Sequence, residues 1–226
     1  MKKSFLIMLI ALILTGVGMS QFNTVESNHS AFTVARLQFS GGGDWYCGRS
    51  GISNLHKFLA ENTNVAVVDE EVNIKAADPE LYNYPFLYLT GHGNIKLTEQ
   101  EVSALREYLI SGGFLFANDS YSLAPAFKRE MKRVFPEKEL VELPFSHEIY
   151  HCLYEFPNGL PKIHEHDNKP PQGFGIFWDE ELVVFFAYES DIGDGWEDYE
   201  VHKDPPEKHQ ASLKMGANIV TYAMTH

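Results

Sequence analysis

Along this chain, short blocks of consecutive apolar residues alternate with longer stretches in which apolar residues recur every third or fourth position. The blocks fit strands covered on both faces, and the spaced stretches fit helices with one buried side. "FTVARLQF" (32–39) predicts a first strand, ended by three glycines. "GRSGISNLHKFLAENTN" predicts a helix with Ile52, Leu55, Phe58 and Leu59 on one side. "VAVV" (65–68) predicts a short buried strand, and "YPFLYLTGHG" (84–93) another that closes on His92 between two glycines.

The next helix is the best marked. Thr98 and Glu101 have capping-box spacing, Val102, Leu105 and Leu109 form a stripe, and Gly112 suits a left-handed end. "GGFLFANDS" (112–120) predicts a strand running into a polar turn, "SLAPAFKREMKRVFP" a helix stopped by Pro136, and "ELVELP" (139–144) a strand. A histidine-rich irregular stretch follows to about Pro171, then a hairpin "GFGIFWDEELVVFFAYES", an acidic loop and a last helix "PPEKHQASLKMGANIVTYAM". Strands alternating with helices imply right-handed βαβ units. The expected fold is therefore α/β: a mainly parallel sheet flanked by helices, with a late β-hairpin appendage.

Ahead of this domain, "MKKSFLIMLIALILTGVGMSQ" pairs two lysines with an apolar run and small residues at Gly18 and Ser20, the pattern of a secretory signal peptide over residues 1–20. A retained anchor is the rival, but the run is short for a span. Residues 21–31 are polar and expected to be a flexible lead, and 32–226 a single domain with no membrane span, secreted or periplasmic. The 31 acidic residues against 18 basic ones, a net charge of −13, exclude nucleic acid as a partner. An aromatic content of 13% argues against disorder. Cys47 and Cys152 allow one disulfide in an oxidising compartment, although their aromatic and aliphatic neighbours suit two partly buried free thiols.

"HEIYH" (147–151) matches H-E-x-x-H, which on a helix offers two imidazoles to one zinc ion. Its neighbours Pro144, Pro157 and Gly159, with Phe, Ile, Tyr and Cys between them, favour extended chain. There the two histidines stand about 13 Å apart, too far for one ion. No metal site is expected there, and no motif requires a cofactor. A stronger signal is positional. Strands of a parallel sheet point one way, so the segments that follow them meet along one edge, where ligands bind. Those segments carry Asp44, Trp45 and Tyr46, then His92, Asn118 with Asp119 and Ser120, Ser146 with His147, and Asp191.

The motifs "GGGDWY", "YPFLYLTGHG", "LREYLISGGFLFANDS", "FKREMKRVFPEKELVELPFSHEIYH", "ESDIGDGW" and "MGANIVTYAM" occur in order from about Phe32 to Tyr222. On them the chain resembles the family of domain of unknown function 4159, itself similar to the flavodoxin-like, class I glutamine amidotransferase-like fold. The resemblance implies His-Pro-Ile where this chain has His-Glu-Ile, so Glu148 reads as a local variation. It also implies a cysteine nucleophile in the turn after the "GGFLF" strand of the related amidotransferases. Here that turn is "ANDS", and Cys47 lies in another loop, so amidotransferase chemistry is not expected.

Each candidate has two readings. His92 suits a general base or metal ligand, or a loop-bridging hydrogen bond. Asp119 suits a catalytic carboxylate or a helix cap, the cap being favoured. Ser120 becomes a nucleophile only with His92 or His147 beside it. Asp44, Trp45 and Tyr46 suit a ligand platform or a packing lid. Glu130 and Arg133 read as a surface ion pair, and His164, His166 and His202 as solvated. The acidic run Asp191, Asp194, Glu197 and Asp198 matches no recognised calcium loop and reads as solvated charge. The expected function is a binding module for a ligand or envelope protein, with His92, Asp119 and His147 as catalytic candidates. The alternative is a hydrolase, metal-assisted or not, that uses Asp44, His92, Asp119 and His147.

Overall fold

The computed structural model describes residues 31–226; the expected signal peptide and the lead to residue 30 lie outside the described residues. Strands β1 (Ala35–Gln38), β2 (Val72–Lys75), β3 (Phe86–Leu89), β4 (Phe114–Asn118), β5 (Val141–Glu142), β6 (Gln172–Trp178) and β7 (Glu181–Tyr188) form one seven-stranded sheet in the order β2-β1-β3-β4-β7-β6-β5. The helices are α1 (Gly51–Asn62), α2 (Glu99–Ile110), α3 (Ala124–Val134), the four-residue α4 (Tyr199–His202) and α5 (Pro206–Thr225).

β2, β1, β3, β4 and β7 are all parallel, while β6 and β5 continue the sheet in antiparallel pairs. The five parallel strands thus have the 2-1-3-4-5 order of flavodoxin-like sheets, and that order reverses between β1 and β3. The expected hairpin is present, but β7 runs through the sheet between β4 and β6, which is why "LVVFFA" is buried throughout.

Successive strand residues point to opposite faces and build two cores. Phe86, Tyr88, Phe114, Phe116 and Phe185 pack with Ile52 and Leu55 of α1 and Ile219 of α5. Leu87, Leu115, Ala117 and Phe186 pack with Leu105 and Leu109 of α2 and Phe127 and Met131 of α3. On the first face Phe116 stacks between Tyr88 at 5.6 Å and Phe185 at 6.0 Å. Each such ring contributes about 1.5–3 kcal/mol by burial. These two cores make the sheet rigid, and so place its carboxyl-end loops firmly.

The capping box of α2 forms in both directions, Glu101 N–H to Thr98 Oγ1 and Thr98 N–H to Glu101 Oε2, and Gly112 ends the helix at φ +100°. Three expectations are corrected. "VAVV" contributes one bridge, Val67 to Phe32, and the strand falls at Val72–Lys75, where Ile74 alone is buried. An edge strand needs little apolar surface, so it left little pattern. "ELVELP" shrinks to two exposed residues of β5. Glu130 is buried rather than superficial: it accepts from the Leu97 N–H and pairs with Arg129 and Arg133, tying α3 to the approach of α2. Among the described residues no helix is long and apolar enough to cross a membrane.

Candidate functional site

The strand order reverses between β1 and β3, and the loops after these two strands meet there. These loops approach backbone to backbone: Gly43 N–H donates to Asn94 O at 3.0 Å, and a Cβ on Gly43 would sit 2.7 Å from His92 O. Asp44 crosses the gap. Its Oδ1 accepts the His92 backbone N–H at 2.5 Å, and its Oδ2 lies 3.1 Å from His92 Nδ1. His92 is half exposed, and its Nδ1 is held by a carboxylate at the surface of the rim. Trp45 is partly buried and meets the exposed Tyr46 edge to face at 5.6 Å.

Arg36, enclosed beneath this loop, holds it in place. Its guanidinium donates to Cys47 O at 2.5 Å, Gly48 O at 2.9 Å and Glu71 at 2.8 Å, 5.6 Å from the Tyr88 ring. Burial, then the charges of Asp194 and Asp44, push the Cys47 thiol up to about 12. It is therefore a poor nucleophile. Cys47 and Cys152 are both free.

Asn118, at the tip of β4, is a fully buried hub. Its Nδ2 reaches Ser120 Oγ at 3.0 Å and Asp191 Oδ1 at 3.2 Å, and its Oδ1 accepts the Gly193 N–H at 3.0 Å. The N-cap position of α3 is Leu123, and Asp119, four residues ahead of it, accepts from the Leu123 and Ala124 N–H groups through Oδ1, while burial raises its carboxyl above the ordinary value. Ser120 is buried with its hydroxyl on Thr90 and Asn118, and no imidazole is among its hydrogen-bond partners in the described residues. Tyr121, Ser122, Glu189 and Asp191 all have φ between +57° and +89°. Each costs on the order of 1 kcal/mol as a non-glycine residue.

The end of β7 gathers groups that sequence reasoning placed in solvent. Ser190 binds Pro161 O through its hydroxyl and the Ile163 N–H through its carbonyl, which pins the segment 161–167 across the strand end. His164 Nδ1 and His166 Nε2 then reach Asp191 Oδ2 at 2.9 and 3.2 Å, and His164 Nε2 reaches Asp204 at 3.0 Å. His202, from α4, lies 2.9 Å from Glu197 and 3.6 Å from Asp194. Burial works against ionised Asp191, yet bonds from His164, His166 and Asn118 hold its carboxyl well below the usual range. The Asp191 bond raises His164 to about 9 and His166 in the same direction. Burial, reinforced by Asp191, pushes Asp194 up to about 7. His166 Nδ1 is buried without a partner among the described residues. The expectation that His164, His166, His202 and the acidic run are solvated is thus corrected for His166, Asp191, Asp194 and Glu197, which are enclosed, and in part for His164, while His202 and Asp198 are exposed. Their only sequence signal was the alternation in "IHEHD" facing a dense acidic run.

His147 does not join this rim. After β5 the chain doubles back, and His147 packs 5.5 Å from Tyr222 and 6.1 Å from Phe177, near the amino end of β4. "HEIYH" holds one 3-10 turn, Glu148–Tyr150, instead of extended chain. His147 Nδ1 accepts the Ile149 N–H, while both ring nitrogens of His151 are taken by Glu155 and Phe145 O, and neither ring belongs to a group of converging metal donors among the described residues. Asp44, Trp45, Tyr46, His92, Asp119, Ser120 and Asp191 do lie on the carboxyl-end loops.

Fold and rim define an α/β domain of flavodoxin-like strand order with a polar carboxyl edge. Over residues 33–224 the chain matches the family described as a domain of unknown function (DUF4159), and it belongs to that family. None of the curated proteins matches it.

Proposed function

We propose that this domain binds a polar, carboxylate-bearing ligand on the carboxyl rim of its sheet. One observation carries the reading: distant stretches of chain bury ionisable groups together on that rim, on backbone held in left-handed conformations. Such costs collect where a ligand uses the groups. Beside the Asp191 cluster lies an open pocket of about 510 Å³ between Asp119, Tyr121, Lys128, Asp167, Lys169 and Tyr188, a volume suited to a small molecule. Lys128 and Lys169 place their ammonium groups 5.0 and 5.5 Å from the Tyr188 ring centre, and the Tyr121 ring is exposed beside them. Lys169 also lies 3.6 Å from Asp167, which leaves Lys128 without a carboxylate partner among the described residues; with the open Tyr121 face it suits an anionic group on a flat body, such as a uronic-acid saccharide or a peptide carboxylate.

Thermal-shift and calorimetric titration with glucuronic-acid oligosaccharides, neutral oligosaccharides and short peptides tests this. Ligand at a hundredfold excess over its Kd adds about 2.7 kcal/mol of stability, and Tyr121→Ala with Lys169→Ala removes the effect. A panel without any shift, or shifts untouched by the double variant, ends the proposal. The likeness to amidotransferase-like domains bears on the same rim, with Asn118-Asp119-Ser120 where those enzymes carry their cysteine. The paired Asp44 and His92 favour hydrolysis as a second reading. It predicts ester or amide turnover abolished by His92→Ala, and it no longer includes His147. The leader sequence supports export, which N-terminal sequencing of the protein from its host would check.

A further inference from the structure

We infer that His164, Asp194 and His202 form a site for one divalent first-row transition ion, completed by Asp191 or Glu197. The inference rests on reading the rim as a binding surface and adds the ion to it. Asp194 Oδ2 lies 3.9 Å from His164 Nδ1 and 3.6 Å from His202 Nε2, and the three donor atoms all fall within 4.8 Å of one another. Tetrahedral coordination with bonds near 2.0–2.1 Å sets donors about 3.4 Å apart. Small side-chain rotations close the difference. Asp191 Oδ2, 2.9 Å from His164 Nδ1, and Glu197 Oε2, 2.9 Å from His202 Nε2, flank the position as further oxygen donors.

Charge points the same way. Asp191, Asp194 and Glu197 are 2%, 8% and 9% exposed, and among the described residues none has a lysine or arginine within ion-pair distance. Elsewhere the protein supplies permanent cations: Glu189 has Lys162, and Glu130 has Arg129 and Arg133. Apart from the Asn118 amide on Asp191, these three buried carboxylates are served by imidazoles, groups that can give up a proton to a metal ion where a lysine or arginine could not. His164 also has the supporting arrangement of a metal ligand, its far nitrogen Nε2 held by the Asp204 carboxylate at 3.0 Å. Two imidazoles with carboxylates select zinc, iron or manganese over calcium, which takes oxygen alone. An ion would displace the proton that His164 Nδ1 shares with Asp191.

The competing donor set is Asp44, Cys47 and His92, whose atoms also converge within 4.8 Å. The experiment separates the two. The full chain, stripped with chelator, is titrated with Zn²⁺ by calorimetry and with Co²⁺ by visible absorption. The expected result is one ion per chain, cobalt bands without a thiolate charge-transfer band, and an affinity lowered about 100-fold or more by His202→Ala and by Asp194→Asn. His202 lies exposed on α4, so its variant keeps the fold, and Cys47→Ser leaves the affinity unchanged. No bound ion, full affinity in both variants, or a thiolate band lost in Cys47→Ser each overturns the site. A chain that takes up no metal but is still stabilised by glucuronic-acid oligosaccharides loses the ion and keeps the rim. Metal uptake without any saccharide or peptide response does the reverse.

Discussion

Arg36 sits in the middle of "FTVARLQF", a segment whose apolar pattern reads as strand, and its guanidinium is almost wholly enclosed. A guanidinium serves several acceptors at once in a fixed fork, which a lysine ammonium cannot reproduce. Arg36→Ala leaves the Cys47 and Gly48 carbonyls unserved, while Glu71 reaches solvent, and should cost about 1–3 kcal/mol in urea unfolding, with Arg36→Lys recovering only part. A loss below about 1 kcal/mol for the alanine variant would remove Arg36 as the anchor of the loop. At this scale sequence reading found the residues on the rim but misjudged how they are solvated. Asp44, His92, Asp119 and Asp191 were legible because each follows a strand directly. His164 and His166 were not, because acidic neighbours in sequence imply water, whereas the pinning of 161–167 by Ser190 draws both rings onto Asp191.

Among the elements, α1 shows how a helix is locked to the sheet by a single side chain. Its apolar face was plain in the spacing of Ile52, Leu55, Phe58 and Leu59, and His56 lies on the same side, fully buried, with Nε2 accepting the Val34 N–H at 3.0 Å. That bond needs the neutral ring. Burial lowers the His56 pKa below its ordinary value, against the opposing pull of Asp69 and Glu71. A depressed histidine has its full stabilising effect above the unfolded value of about 6.5 and loses it as pH falls from there through the folded pKa. Urea midpoints between about pH 7.5 and 5 should therefore fall more steeply for the wild type than for His56→Gln, whose amide accepts the same N–H without titrating. Parallel curves would show that His56 contributes nothing to the acid limb. Helices with caps and stripes were legible in full, while β2 and β5 were not, since short edge strands bury too little to leave a pattern.

Across the whole molecule, stability comes from two apolar layers on a seven-stranded sheet and not from a covalent link, since both cysteines are free. Thermal unfolding with and without reductant should give the same midpoint. A drop of several degrees in reductant would reveal a disulfide and contradict the packing.

Two kinds of information meet in this protein. The α/β class, the direction of its central strands, the ends of α2 and the loops that share a rim follow from the sequence alone, because periodicity, caps and glycine turns act over a few neighbouring residues. Tertiary structure alone decided that Asp191 meets His164, His166 and Asn118, that His202 closes over Asp194, and that the chain doubles back after β5 to carry His147 away from the rim. Those outcomes depend on which distant segments exclude water from one another, and burial of that kind has no local signature.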